Sequence, residues 1–483
     1  MLLKRNKTEG DDIMKKLLCM LISVLFLITV FSPFAVYANV KFGNSTVASE
    51  ENSDTPDTDV NFDFFNPDEK TAKEMENTII QGLLSMQNRI DLAKYKIPKT
   101  QAAIVISNII NGNSDLFFVS TNIAYSYNTT TNYVVSFVPA YALSSVSEIN
   151  SAKILFNNEM NKILAKTNDG MSDLQKALTV HDYICNLAVY PNLDNGDEVI
   201  YHSAYGFVKN RKIVCAGYTL MYSAVLNKLN IPTKYVISNS MGHAWNTVYI
   251  NNNWYNADLT WDDTSFSNVD TNTMGRFSHE YFLKSTYEFQ TYKEHTGMAY
   301  PYNVACTDYS YDEAFWNNYT CNIFTYQNCY YYLDLDASNF LVNIIKRDEK
   351  GNTAILNNKK YQSVYLSYEN GMKVPLGQIT MINDVLYFSA SSNNTATINC
   401  YDLKTNKEYK ITEFEGLSAG LGEQDGELQY ALLNNETVYT SVKQQPIFDN
   451  IYPSNVNKSD YSPYVDINHD GYINAKDYVQ LKK

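Results

Sequence analysis

Val214-Cys215-Ala216-Gly217-Tyr218-Thr219-Leu220-Met221-Tyr222-Ser223-Ala224-Val225-Leu226 gives the chain its organising element. Leu220, Ala224 and the run from Leu226 to Leu229 recur at helical spacing, and Pro232 stops the pattern. The spacing predicts an amphipathic helix with Cys215 at or near its N-terminus. The unpaired N–H groups and the dipole at such an end favour an anion, and a thiolate is one. A lone cysteine is more often a small buried hydrophobe. The functional reading therefore needs partners.

Two candidates follow at hairpin spacing. Gly242-His243-Ala244-Trp245-Asn246-Thr247-Val248-Tyr249-Ile250 is strand-like, and Asn251-Asn252-Asn253 is a turn signal. Trp254-Tyr255-Asn256-Ala257-Asp258-Leu259-Thr260-Trp261 reads as the return strand. A two-residue loop at Asn251-Asn252 would set Asp258 opposite Trp245 and His243 opposite Thr260. His243 and Asp258 would then be diagonal neighbours on one face. A plain three-residue loop breaks this parity unless a bulge restores it. Alone, His243 suits a structural role equally well, and Asp258 a turn or cap. Together with Cys215 they make a nucleophile, a base and an orienter for that base.

These blocks resemble the signature blocks of bacterial transglutaminase-like proteins: Val214-Cys215-Ala216-Gly217-Tyr218, Gly242-His243-Ala244-Trp245-Asn246, and Trp254-Tyr255 with Asp258-Leu259-Thr260-Trp261-Asp262-Asp263. Tyr201-His202-Ser203-Ala204-Tyr205-Gly206 fits the same pattern, and the resemblance spans residues 170–290. It implies an α+β fold with a papain-like core, a nucleophile helix packed on an antiparallel sheet that carries His and Asp. It also implies thioester chemistry on amides; the superfamily includes cross-linkers, peptidases, amidases and members without activity. Cys215 would attack a glutamine side-chain or peptide carbonyl, its own N–H would help hold the oxyanion, and His243 would protonate the leaving amine. Trp245 and Trp261 would wall the site. His202 is a candidate neighbour, although a structural role is the commoner fate of such a histidine. His181 and His279 are read as structural.

The 483 residues allow two to four domains. The net charge of −14, without a long basic cluster, argues against nucleic acid or an anionic membrane as partner. The 40 tyrosines reflect composition bias or a polymer-binding face. Residues 1–38 read as a signal peptide. Met14-Lys15-Lys16 is the basic region, 17–31 the apolar run, and Val36-Tyr37-Ala38 precedes the cleavage point. The first thirteen residues read as an upstream start. Cys19 opens the apolar run, which is not where a lipoprotein cysteine stands. A secreted protein is expected, free of the membrane once the signal is removed.

Residues 39–66 are polar and predicted to be a disordered linker. Residues 67–168, with Met75, Ile79, Leu83 and Met86 at helical spacing, are predicted to be a small α+β domain. The catalytic domain is placed at 169–300. Residues 301–443 carry short strands and turn signals that resemble propeller-like blades, too few to close a propeller, and are assigned to a β-rich module. Residues 444–463 form a second linker. Beyond Cys19 there are six cysteines at irregular spacing. Only Cys321 with Cys329 suggests a disulfide, and no CxxC suggests zinc.

Asp466-Ile467-Asn468-His469-Asp470-Gly471-Tyr472-Ile473-Asn474-Ala475-Lys476-Asp477 matches an EF-hand-type loop. Asp466, Asn468, Asp470 and Asp477 would bind Ca²⁺ through side chains and Tyr472 through its carbonyl, with Gly471 at the sharp turn. Residues 464–483 resemble one calcium repeat of a dockerin module. That implies a structural Ca²⁺ and a cohesin-bearing, cellulosome-type scaffold as partner. Dockerins carry two repeats and one is present, so weak binding is expected of this loop alone. The expected function is that of a transglutaminase-like cysteine peptidase, amidase or acyltransferase, acting on protein or peptide substrates and needing no cofactor for catalysis. The alternative is a catalytically silent binding or scaffold component. A carbohydrate-active enzyme would need a paired-carboxylate context, and the sequence offers none.

Overall fold

The computed structural model describes residues 40–44 and 65–439, apart from 194–197, 264–276, 302–303, 337–340, 363–364, 368–372, 376–377, 393–394, 425 and 435–436. The signal peptide, the second linker and the calcium loop lie outside the described residues. Two units are distinguished. One holds the described residues up to Asp262 together with Glu280–Asn317, and the other holds those between Asp263 and His279 and from Asn318 onward. No helix among the described residues is long and apolar enough to cross a membrane.

The first unit opens with β1 (Val40–Asn44), antiparallel to β3 (Val119–Asn128). With β2 (Ile90–Asp91) and β4 (Val134–Tyr141) they form a sheet of order β1-β3-β4-β2. The strand β1 falls in the expected linker; by pairing it closes the open backbone edge of β3. Helix α1 (Glu69–Leu84) starts at Asp68, whose carboxylate accepts from the Thr71 N–H, and it buries Met75, Ile79 and Leu83. Met86 leaves the helix with φ of 55°. Helices α2 (Ala102–Asn111), α3 (Val146–Leu164) and α4 (Asp173–Leu187) follow. A capping box between Ser172 and Gln175 fixes the start of α4.

After the short α5 (Ala204–Asn210) comes α6 (Cys215–Lys228). Every residue from Ala216 to Leu226 is buried, so α6 is a central helix and not the amphipathic one its spacing predicts. The reason lies in its surroundings. It packs against α4 and α5 on one side and the sheet on the other, and the polar members of its sequence are satisfied internally. Thr219 donates to the Cys215 carbonyl, and Tyr222 donates to the Ala177 carbonyl. A helix enclosed in this way needs no polar stripe.

The sheet beside α6 has the order β7-β6-β5-β8, with β5 (Thr233–Ser238), β6 (His243–Ile250), β7 (Asn253–Ala257) and β8 (Met298–Ala299). Because β8 covers only Ile237 and Ser238, the rest of that β5 edge needs another partner. The Asn108 side chain of α2 supplies it. Its amide donates to the Tyr235 carbonyl at 2.9 Å and its oxygen accepts from the Tyr235 N–H at 2.9 Å, as a neighbouring strand would. Residues 67–168 thus close the edge of this sheet, and the stretches expected as separate domains at 67–168 and 169–300 fall in one compact unit.

That unit also extends past the expected boundary at 300. Lys284 is fully buried, and its Nζ donates to the Tyr311 carbonyl (3.1 Å), the Asp312 carbonyl (2.9 Å) and Asn317 Oδ1 (2.7 Å). Asp312 accepts from the Ser285 N–H and hydroxyl. These bonds fasten 308–317 to the core. Burial pushes the Lys284 amine down to about 8 from 10.5. Its charge therefore costs stability below pH 8, and the cost is relieved as pH rises toward 10.5. The expected result is that wild-type stability minus Lys284→Met stability, from urea midpoints, rises by on the order of 3 kcal/mol across that window. A flat difference would contradict the buried charge.

The second unit is β-rich, as its turn signals predict. It contains a sheet of order β12-β11-β10-β9, built from β9 (Phe324–Tyr326), β10 (Cys329–Asp336), β11 (Leu341–Asp348) and β12 (Thr353–Ile355), with β13 (Tyr361–Gln362) also on β11. The pair β14 (Tyr365–Ser367) and β15 (Lys373–Pro375) follows. Next is a four-stranded meander of β16 (Ile379–Ile382), β17 (Val385–Ser392), β18 (Thr395–Asp402) and β19 (Lys407–Glu415). Last come β20 (Leu417–Gln424), β21 (Glu427–Asn434) and β22 (Thr437–Tyr439). Tyr387, Ile398, Cys400, Leu421 and Tyr430 share one core there. The six cysteines after Cys19 are all free thiols, and the Cys321 thiol donates to the Leu333 carbonyl instead of pairing with Cys329.

Candidate active site

Cys215 is the first residue of α6, half-buried, behind an extended Val214. Val214 makes no side-chain cap bond to this end, and the first-turn N–H groups of a helix have no partner within it. The approach to this end requires glycine. A Cβ at Gly217 would lie 2.6 Å from the Tyr201 carbonyl and 2.7 Å from Ile213. The 201–206 block thus packs directly on the helix start, with the Val214 N–H donating to the Tyr201 carbonyl. His202 lies in that turn.

His243 begins β6. Gly242, with φ of 58°, turns the chain just before it, a left-handed conformation that glycine adopts without strain. Of the two loop lengths the asparagines allow, the hairpin has the two-residue one. Asn251 and Asn252 both have positive φ (49° and 68°), and Ile250 pairs with Asn253. The same register carries His243 and Asp258 to one side, but β7 ends at Ala257 and not at Trp261. Asp258 instead opens the short helix α7 (Leu259–Asp262), its Oδ1 accepting from the Thr260 and Trp261 N–H groups at 3.0 and 3.3 Å. The cap bonds and the bond to His243 coexist on one carboxylate. Its Oδ2 accepts from His243 Nε2 at 2.7 Å.

The other motif residues lock these elements together. The Asn246 amide donates to the Thr219 carbonyl and to Ser223 Oγ, tying the histidine strand to the cysteine helix. Trp245 Nε1 donates to Asn256 Oδ1 across the hairpin. Trp245 and Trp261 stand 5.7 and 5.8 Å from the His243 ring. Burial works against a charge on His243. Asp258, by charge and hydrogen bond, and then Cys215, by hydrogen bond and charge, outweigh it and hold the ring up to about 10. Since Nε2 is engaged by Asp258, Nδ1 is the nitrogen left for Cys215. Burial likewise opposes the Asp258 charge, but His243 and then His295 keep its carboxyl well below the usual range.

His295 is the residue that sequence reasoning missed. Its Nε2 lies 2.9 Å from the same Asp258 Oδ2, and its ring is completely buried. The residue stands 37 positions from Asp258 in a short polar loop, with no periodicity or motif to mark it. His243, Asp258 and His295 place three possible ligand atoms within 4.8 Å of one another. A cation there would have to displace the protons that bind both imidazoles to Asp258, so the donor set fits proton holding better than metal binding.

A second Cys–His–Asp grouping lies nearby. His181 Nε2 is 3.1 Å from Asp262 Oδ2 and 3.7 Å from Cys185 Sγ, while Nδ1 is 2.9 Å from Asp182. His181 and Asp262 are fully buried and Cys185 nearly so. Burial opposes the His181 charge, yet Cys185, Asp182 and Asp262 raise its pKa well above the ordinary value. Closed to solvent, this group serves as an anchor. Asp262 Oδ1 accepts from the Tyr281 N–H, and the Tyr281 carbonyl accepts from the Asp258 N–H, which fixes the turn carrying Asp258.

The family model of the Transglutaminase-like superfamily matches residues 161–259, a window containing Cys215, His243 and Asp258. The chain thus carries a transglutaminase-like core. A solved structure described as "Crystal structure of a TGase" is similar at 15% identity over 29% of this chain and 44% of that one, with a TM-score of 0.22. The similarity therefore spans less than half of that protein. None of the curated proteins matches this chain.

Proposed function

We propose that this protein is a secreted thiol enzyme that opens protein or peptide amides through a thioester on Cys215. The observation that carries the reading is the His243–Asp258 hydrogen bond, with the remaining His243 nitrogen left for a thiol at the first residue of a helix. With His243 held up to about 10, the ring carries the proton that the leaving amine needs, and the reacting form of Cys215 is its thiolate. The thiolate adds to the carbonyl carbon, a C–S bond forms, and the π electrons move to oxygen, where the Cys215 N–H would stabilise them. Collapse expels the amine, which leaves with the His243 Nδ1 proton. Neutral His243 then takes a proton from water or from an acceptor amine. That nucleophile displaces the thiolate, giving hydrolysis or acyl transfer.

Intact-protein mass spectrometry tests this. Brief exposure to an activated acyl ester of a glutamine-containing peptide should add one acyl mass to wild type, removable by hydroxylamine, and none to Cys215→Ala. Binding of the peptide without an adduct would favour a recognition module instead. We assign a separate structural role to residues 464–483, where Asp466, Asn468, Asp470, Asp477 and the Tyr472 carbonyl make an oxygen-only donor set suited to Ca²⁺. Docking to a cohesin-bearing scaffold is the corresponding partner proposal. Neither enters the amide chemistry.

A further inference from the structure

The geometry points to His295 as a fourth member of the catalytic apparatus, a positioning residue that holds the Asp258 carboxylate in the orientation His243 requires. This rests on the Cys215–His243–Asp258 reading and extends it.

The case begins with the acceptor capacity of one carboxylate, which has about four lone-pair sites. Asp258 fills four: the Thr260 and Trp261 N–H groups on Oδ1, and His243 Nε2 and His295 Nε2 on Oδ2. The two backbone bonds set the carboxylate plane from one side only. Without His295, the bond on Oδ2 would come from His243 alone, the ring that must remain free to exchange protons during turnover. His295 supplies a donor on that oxygen that takes no part in the exchange.

His295 is itself held from several directions. Its N–H donates to the Phe289 carbonyl at 2.9 Å. Its ring lies 4.3 Å from Phe289, 4.4 Å from Trp261 and 4.9 Å from Trp245, centroid to centroid. Nδ1 lies 2.7 Å from the Lys293 carbonyl. That oxygen and Asp258 Oδ2 are both acceptors, so both contacts are hydrogen bonds at once only in the doubly protonated ring. The loop behind it is tied down where Ser238 donates to the Thr296 carbonyl and Gly297 adopts φ of 60°. A purely structural histidine would need only the Lys293 bond. The bond to Asp258 has a direct consequence for the reaction.

The two nitrogens allow a test in which each contact is kept separately. Glutamine at 295 places its amide nitrogen where Nε2 stands and retains the donor to Asp258. Asparagine places its nitrogen where Nδ1 stands and retains the Lys293 bond only. In the full-length protein, H295Q is expected to keep kcat within about tenfold of wild type. H295N should lose about 10²-fold in kcat with little change in KM, the cost of a misplaced catalytic group. Urea midpoints establish that both variants are folded. Equal activity of the two variants, or better activity of H295N, overturns the proposal. If H295N does not fold, H295Q decides alone: retention within tenfold supports the role, and a larger loss in folded H295Q refutes it. Turnover by Cys215→Ala would instead refute the triad reading, so the two failures are distinct.

Discussion

Cys215→Ser protein should fold like wild type and turn over amide substrates at least about 10⁴-fold more slowly, because single loss of a triad nucleophile removes nearly all of the concerted rate gain. Folding is preserved because the thiol lies half-buried at the first residue of α6, outside the enclosed stretch from Ala216 to Leu226. A serine there fills slightly less space and retains the helix geometry. It does not retain the chemistry. Its hydroxyl is far less acidic than a thiol, so it offers the carbonyl a much poorer nucleophile. The contrast with Cys185 sharpens the prediction. Cys185 also stands beside a histidine and an aspartate, but it is buried in the last turn of α4 and donates to the Leu259 carbonyl at 3.6 Å. Cys185→Ser should leave alkylation by iodoacetamide unchanged, whereas Cys215→Ser should abolish its fast phase. Wild-type turnover by folded Cys215→Ser would end the thioester mechanism.

The hairpin was legible because its geometry is local. Two consecutive asparagines in left-handed conformations fix the loop, the loop fixes the register, and the register fixes which residues face His243. The helix start at Cys215 was legible for a similar reason, since its end signals lie within a few residues. The burial of α6 was not, because it depends on surfaces distant in sequence. Asn108 closes the β5 edge from 127 residues away, and nothing around Asn108 announces that it imitates a strand. The boundary at 300 failed in the same way, because a lysine that ends a short apolar run, Tyr281-Phe282-Leu283-Lys284, gives no sign of the three acceptors that hold it. His295 was invisible until its partner was placed. Asp258 could be read from sequence either as a partner for His243 or as a turn or cap residue; that one carboxylate makes both sets of bonds emerges only where β7 stops at Ala257.

Asp258→Asn should lower kcat by about 10⁴-fold, the scale of effect when a triad carboxylate is neutralised, and should move the alkaline limb of the pH profile downward. The sign follows from His243. Its folded pKa is raised to about 10 from 6.5, chiefly through Asp258 acting against burial. The protonated ring is the form that delivers a proton to the leaving amine, so wild-type activity should persist to about pH 10 and fall above it. An amide at 258 keeps the size of the side chain but loses the charge. It also presents an N–H where Oδ2 accepted, or turns and breaks the cap on α7. In either case the ring is released toward its ordinary pKa, and the limb should fall by more than a unit. Stability follows the same linkage. The raised histidine contributes fully below pH 6.5 and its contribution is lost as pH rises through about 10, while the depressed Asp258 contributes above its ordinary 3.8 and is lost in acid. Both describe one interaction, counted once. Removing it should cost about 3 kcal/mol near neutrality, the lower range for breaking a buried pair. The cost should shrink in strong acid and above pH 10, where the wild-type protein no longer holds the pair either. Urea titrations of both proteins across that range read the difference directly, and a pH-independent cost would show that Asp258 acts as a helix cap alone.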